Sequence, residues 1–73
     1  MAEPNLFDKM LVVNSRDFGY PEDWTIHLVY SNEGIWVATE PKSGFAEIGA
    51  TKAEAVQHLV DNLKVYSKRQ FNA

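Results

Sequence analysis

The sequence predicts a small α+β domain, built from a three-stranded antiparallel sheet and one long C-terminal helix on one face. Between residues 24 and 48, stretches rich in β-branched and aromatic residues alternate with turn signals, as in a run of antiparallel strands. A capping motif and apolar residues at helical spacing follow, and together they are typical of an amphipathic helix. A chain of 73 residues is long enough for a single domain only.

Three strands are predicted in succession, over residues 24–30, 35–39 and 45–48. The first two are rich in β-branched and aromatic side chains, which favour strands. The turn signal Ser-Asn-Glu-Gly separates them, and a loop with a proline and a glycine precedes the third strand. We therefore expect a hairpin followed by one further antiparallel strand.

The helix is predicted over residues 52–67. Thr51 and Glu54 stand at the spacing of a capping box, in which each side chain accepts the backbone N–H of the other residue. The apolar residues that follow recur every three or four positions and form one stripe: Val56, Leu59, Val60, Leu63 and Tyr66. This stripe is expected to cover one face of the sheet. The three strands and the helix together form a predicted βββα core over residues 24–67, which a tail over residues 68–73 follows.

The N-terminal segment with its loop, residues 1–23, is ambiguous. Its apolar residues at positions 6, 7, 10 and 11 fit a helical stripe, whereas Met-Leu-Val-Val over residues 10–13 fits a strand equally well. Residues 14–23 contain Gly-Tyr-Pro, which is typical of a loop. We expect the segment to pack at the edge or on the open face of the sheet.

The two faces of the sheet are expected to differ. A hairpin loop of four residues, 31–34, places Ile26, Leu28 and Tyr30 on the helix face together with Ile35 and Val37, because side chains alternate along a strand. The opposite, open face then carries three large apolar side chains: Val29, Trp36 and Phe45.

Such an open face is too apolar for simple exposure to water. Two interpretations remain open. In one, apolar residues of the N-terminal segment cover the face as a second small core: Leu6, Phe7, Leu11 and Val13. In the other, a different protein docks on this face or at the edge of the sheet.

Composition argues against several kinds of chemistry. The chain has no cysteine, which excludes disulfides, thiolate metal sites and cysteine nucleophiles and favours the cytoplasm. Its ten acidic residues are scattered, and His27 and His58 lack the spacing of metal ligands. The net charge of −3 disfavours a nucleic-acid binder, and no apolar run reaches the roughly 20 residues that span a bilayer. We therefore expect a protein that has no enzymatic activity, binds no metal or cofactor and does not contact a membrane.

Two stretches of the sequence carry a family resemblance. Glu-Gly-Ile-Trp-Val-Ala-Thr-Glu-Pro over residues 33–41 and Gly-Ala-Thr-Lys-Ala-Glu-Ala-Val over residues 49–56 resemble the two signatures of the HicB family. The resemblance covers residues 24–63 and implies a βββα core, a partial ribonuclease H fold without the nuclease carboxylates. It also implies an alternative function, that of an antitoxin module that covers the active site of a small ribonuclease toxin.

The sequence therefore predicts a non-enzymatic regulator that binds another protein. As a lone acidic domain, it is similar in character to small bacteriophage proteins that bind bacterial RNA polymerase as inhibitors or antitermination factors, which makes host transcription the expected target. The expected partner-binding residues are Val29, Trp36 and Phe45 on the open face, or Phe7 and Met10 in the N-terminal segment. A homodimer is also compatible with so small a domain.

Overall fold

A computed structural model describes residues 10–72 of the chain, with side chains described as far as Ser67. Its four strands are β1 (Met10–Asn14), β2 (Thr25–Tyr30), β3 (Trp36–Glu40) and β4 (Phe45–Gly49). A short 3₁₀ helix (Ser15–Phe18) follows β1, and helix α1 (Lys52–Asn72) follows β4. The predicted combination of an antiparallel sheet with one C-terminal helix is confirmed.

The strands form one antiparallel sheet in the order β1-β2-β3-β4, so that each strand pairs with its neighbours in the sequence. The predicted number of three strands was wrong, because Met10–Asn14 pairs with β2 as a fourth strand. The short apolar run Met-Leu-Val-Val fitted either a strand or a helical stripe. Its pairing with β2 shows that it is a strand. Strands β1 and β4 are the two edges of the sheet.

Helix α1 begins at the predicted residue, Lys52, and continues to Asn72 rather than ending at residue 67. The hydroxyl of Thr51 accepts the N–H of Glu54 at 3.1 Å, as the predicted capping box requires. The carboxylate of Glu54 reaches one residue farther back than expected and accepts the N–H of Ala50 at 2.7 Å. Among the described residues, no helix is both long enough and apolar enough to cross a bilayer.

The core lies between α1 and one face of the sheet. Within residues 10–67, eight buried apolar residues belong to it: Ile26, Leu28, Ala38, Ala55, Val56, Leu59, Val60 and Leu63. Four of the five residues of the predicted helix stripe are among them. The fifth, Tyr66, is 41% exposed and packs edge-on against Phe45, with ring centroids 5.0 Å apart. The other face of the sheet, which α1 does not cover, is called the open face below.

The loop between β1 and β2 is closed by Ser15, which is fully buried. The Ser15 hydroxyl donates to the carbonyl of Glu22 and accepts the N–H of Trp24 at 3.1 Å. The backbone N–H of Ser15 donates to the carbonyl of Trp24 at 2.9 Å. These bonds fix the point at which the chain leaves β1 and enters β2, and with it the pairing of the two strands.

Candidate functional site

The hairpin between β2 and β3 decides which side chains reach the open face. Tyr30 pairs with Trp36, so the loop contains five residues, 31–35, and not the four expected. The N–H of Ser31 donates to the carbonyl of Ile35 at 2.8 Å, and the Ser31 hydroxyl accepts the N–H of Ile35 at 3.2 Å. One additional loop residue turns every side chain of β3 to the opposite face.

The expected placement of Trp36 and Phe45 on the open face is therefore wrong. Trp36 lies on the helix face beside Tyr30, with ring centroids 5.0 Å apart, and the Lys52 ammonium lies 5.2 Å from its ring centroid. Phe45 lies on the same face and packs against Tyr66 of the helix. Both rings are half-buried at the border of the core, where they contribute to folding.

Val29 lies on the open face, as predicted, and Met10 lies directly beside it. The register pairs Met10 with Val29, Val29 with Val37, and Val37 with Ile48. These four residues form one continuous line across all four strands, called the apolar row below. Ile48 is 54% exposed and the other three are half-buried. Phe7, the remaining predicted binding residue, lies outside the described residues.

A second row on the open face lies next to the apolar row. Val12 pairs with His27, His27 with Thr39, and Thr39 with Ala46. Val12, on the edge strand, is 61% exposed. The second row therefore places an imidazole and a hydroxyl on the two central strands, beside the valines of the apolar row.

Within the four strands, the open face carries no carboxylate and no lysine or arginine, and His27 is its one ionisable side chain. The only two carboxylates in these strands, Glu40 and Glu47, lie on the helix face. Glu47 accepts a hydrogen bond from the side-chain amide of Asn62. The open face therefore carries no carboxylate, ammonium or guanidinium group, which distinguishes it from the loops and from the exposed side of the helix.

Glu40 is buried and holds the turn between β3 and β4. Its carboxylate accepts the N–H of Lys42 at 3.0 Å and the N–H of Ser43 at 2.7 Å. Burial by itself would raise the pKa of Glu40, but the hydrogen bonds from Ser43 and Lys42, together with the Lys42 charge, lower this pKa below 4.5. This carboxylate is therefore occupied by the backbone of its own turn.

Strand β1 does not supply a cover for the open face. Leu11 pairs with Leu28 and Val13 with Ile26, and all four side chains lie on the helix face. The interpretation in which Leu11 and Val13 help to build a second small core on the open face is therefore wrong. The other two residues of that interpretation, at positions 6 and 7, lie outside the described residues.

Two clefts border helix α1. One of about 480 Å³ lies between β4 and α1 and is lined by Phe45, Ala46, Glu47, Asn62, Val65 and Tyr66. Another of about 430 Å³ lies between the β3–β4 turn and the helix, beside Trp24. Nδ1 of His58 lies 2.8 Å from the carbonyl oxygen of Ile48, a contact that holds the helix to the edge strand. Among the described residues, no three histidine or acidic side chains converge on a metal site.

Comparison with known proteins gives no match among family models, curated proteins or solved structures. The resemblance to the HicB family and the similarity to phage regulators therefore stay predictions. The open face itself offers apolar contact along the apolar row, with an imidazole and a hydroxyl in the row beside it. Sequence reasoning placed Val29 on this face and named Met10 as an alternative contact in the N-terminal segment, and it did not place Val37, Ile48 or Val12 here.

Proposed function

We propose that this protein is a non-enzymatic regulator that binds another protein through the open face of its sheet. The single observation that carries the proposal is the apolar row, which crosses all four strands without interruption. A contiguous apolar patch on a small domain typically marks an interaction site, because a partner removes that patch from water.

The two central strands of the open face suit the buried core of an interface. Val29 and Val37 lie on the two central strands, each hydrogen-bonded to a neighbouring strand on both sides, so their positions are fixed before binding. Fully buried interface cores are depleted in charge, whereas their rims are polar. His27 and Thr39, the next residues on the same face of the two central strands, supply an imidazole and a hydroxyl beside the valines. A partner would therefore meet two rigidly held valines of the apolar row, with the polar side chains of the second row beside them.

Charge supports a basic partner surface. The chain carries a net charge of −3, and three of its acidic residues lie between β1 and β2, at one end of the sheet: Asp17, Glu22 and Asp23. Acidic groups outside the contact mainly raise the rate of association with a basic surface and add little affinity. A phage-encoded inhibitor or antitermination factor of bacterial RNA polymerase fits this combination of size, charge and contact surface.

The alternative is an antitoxin module that covers the active site of a small ribonuclease toxin. The order β2-β3-β4-α1 supports this alternative, because the HicB resemblance implies the same order of elements. A ribonuclease binds a polyanion, so its active site is expected to be basic and to attract an acidic chain. The two functions use the same open face and differ in the partner.

The proposal is tested by comparing how well the wild-type chain and a matched pair of variants capture purified candidate partners. Ile48 and Val65 are 54% and 52% exposed, but Ile48 belongs to the apolar row and Val65 lies on α1. The immobilised wild-type chain, Ile48→Asp and Val65→Asp are each incubated with bacterial RNA polymerase and, separately, with a small ribonuclease toxin. We expect Ile48→Asp to weaken capture by about tenfold or more and Val65→Asp to leave it unchanged.

Far-UV circular dichroism of both variants provides the control for folding. Capture of the toxin in place of the polymerase would select the alternative function. Equal effects of the two substitutions, or no capture of either partner by the wild-type chain, would contradict the proposal.

A further inference from the structure

We infer that residues 1–9 of this chain lie across the open face in the free protein, with Phe7 against Val29 and Val37, and that a binding partner displaces them. These nine residues, called the cover below, directly precede Met10, the first residue that the structure describes. The regulatory part of the inference rests on the proposed function, because it names the resting occupant of the same surface. The contact of the cover with the open face requires no partner.

The chain enters the sheet at one end of the apolar row. Met10 is the first residue of β1 and pairs with Val29, so it is itself the outermost member of the row. The cover is therefore joined covalently to the edge of the open face. The other end of the chain continues from α1, which packs on the opposite face of the sheet.

The length of the cover matches the width of the face. A chain advances at most about 3.6 Å per residue, so residue 7 lies within about 11 Å of Met10 and residue 4 within about 22 Å. The apolar row spans three strand spacings of about 4.8 Å, which is about 14 Å in all. Phe7 is therefore close enough to reach β2 and β3, and residues 4–6 are close enough to reach β4.

The charges of the cover fit the same placement. Residues 4–7 are Pro-Asn-Leu-Phe and carry no charged side chain, whereas Asp8 and Lys9 stand next to Met10 at the edge strand. Within the four strands, the open face has no carboxylate, ammonium or guanidinium group that would compensate a charge laid over it. The uncharged stretch thus falls where the cover crosses the central strands, and its two nearest charges fall at the edge of the sheet.

The helix face offers less room at this end of the sheet. There, Tyr30 packs against Trp36 with ring centroids 5.0 Å apart, and the Lys52 ammonium lies 5.2 Å from the Trp36 ring centroid. A segment joined by so short a connection is present at an effective concentration on the order of millimolar. A contact too weak to join two separate molecules is therefore sufficient to hold the cover, and a partner is able to displace it.

Disulfide formation in the full chain tests the cover, because the chain has no cysteine and an introduced pair is then the only one. Val29 and Tyr30 are neighbours on β2 that point to opposite faces, and both lie within reach of residue 5. Asn5→Cys, which leaves Phe7 in place, is combined with Val29→Cys in one variant and with Tyr30→Cys in the other. Equilibration with glutathione gives the effective concentration of each thiol pair.

We expect an effective concentration at least about tenfold higher for the pair with Val29→Cys than for the pair with Tyr30→Cys. Adding Phe7→Asp to the first pair is expected to abolish this excess, and it provides a comparison that leaves Tyr30 intact. Far-UV circular dichroism checks the folding of each variant. An equal or higher value for the pair with Tyr30→Cys, or no effect of Phe7→Asp, overturns the cover.

Partner capture separates the cover from the proposed function. Phe7→Asp alone is expected to raise capture by about two- to tenfold, because apparent affinity is proportional to the fraction of chains whose open face is uncovered. Unchanged or weaker capture by this variant overturns the regulatory part of the inference. If the thiol pairs behave as expected and Ile48→Asp does not weaken capture, the cover stands and the proposed function fails. If the cover fails and Ile48→Asp still weakens capture, the proposed function stands alone.

Discussion

Gly49, the last residue of β4, lies directly against the backbone of Ala55 in the first part of α1. A Cβ atom at Gly49 would stand 2.9 Å from the Cα atom of Ala55 and 2.8 Å from the carbonyl carbon of Glu54. Both Gly49 and Ala55 are buried. The helix therefore approaches the sheet at this point as closely as a residue without a side chain allows, and this contact sets the distance between the two layers.

Replacement of Gly49 by alanine is expected to destabilise the protein by about 1–3 kcal/mol, because the new methyl group meets backbone that has to move. Gly44→Ala is the control: a Cβ there meets nothing within 4 Å, and only its positive φ of 77° opposes the substitution. Urea denaturation of the two variants and the wild-type chain measures both losses. A Gly49→Ala variant no less stable than Gly44→Ala would contradict the steric explanation.

Trp36 is expected to contribute to stability and not to partner binding, because its ring packs against Tyr30 at the border of the core. Trp36→Ala removes a half-buried aromatic ring and is expected to cost about 2 kcal/mol. Trp36→Phe keeps much of the contact and is expected to lose less. The free energies of unfolding come from denaturant titration. A Trp36→Ala variant that remains as stable as the wild-type chain but no longer captures a partner would place Trp36 in the binding surface.

Strands β2 to β4 and helix α1 were predictable because each carries a local signal in its own residues. The length of the β2–β3 loop was not predictable in this way. Ile35 has the β-branched, apolar side chain of a strand residue, and only its hydrogen bonds to Ser31 show that it belongs to the loop. That difference of one residue assigned Trp36 and Val37 to the wrong faces.

The open face was predictable only in part for the same reason. Val29 belongs to β2, where the alternation is visible without knowing any loop, and its placement was right. A signal for the correct register was nevertheless present in β3. Ala38 is its one small residue, and a helix packs closely over a strand where the side chain beneath it is small. The pairing of β1 with β2 depends on tertiary contacts, which a run of four apolar residues does not specify.

The hydrogen bonds of Glu40 are expected to make part of the stability depend on pH. Its pKa in the folded protein lies below the ordinary value of 4.5, so the ionised carboxylate stabilises the fold above that value. This contribution is lost as the pH falls through the lowered pKa, when the carboxylate becomes protonated. Glu40→Gln removes the titration, so the difference in unfolding free energy between wild type and variant should shrink below about pH 4.5 and stay constant near pH 7. A difference in unfolding free energy that does not change with pH would contradict the assignment of this pH dependence to Glu40.

Ser15 is expected to hold the edge strand β1 in place. Its buried hydroxyl joins the carbonyl of Glu22 to the N–H of Trp24, so Ser15→Ala leaves two backbone groups without this partner. The expected loss of stability is about 1–3 kcal/mol. Ser31→Ala is the control, since water is able to replace a half-exposed hydroxyl more easily.

Hydrogen exchange should show faster exchange of the Trp24 amide and of the β1 amides in Ser15→Ala, because the loop fixes the pairing that places Met10 beside Val29. If the β1 amides exchange as slowly as in the wild-type chain, the pairing of β1 with β2 is maintained without this loop contact.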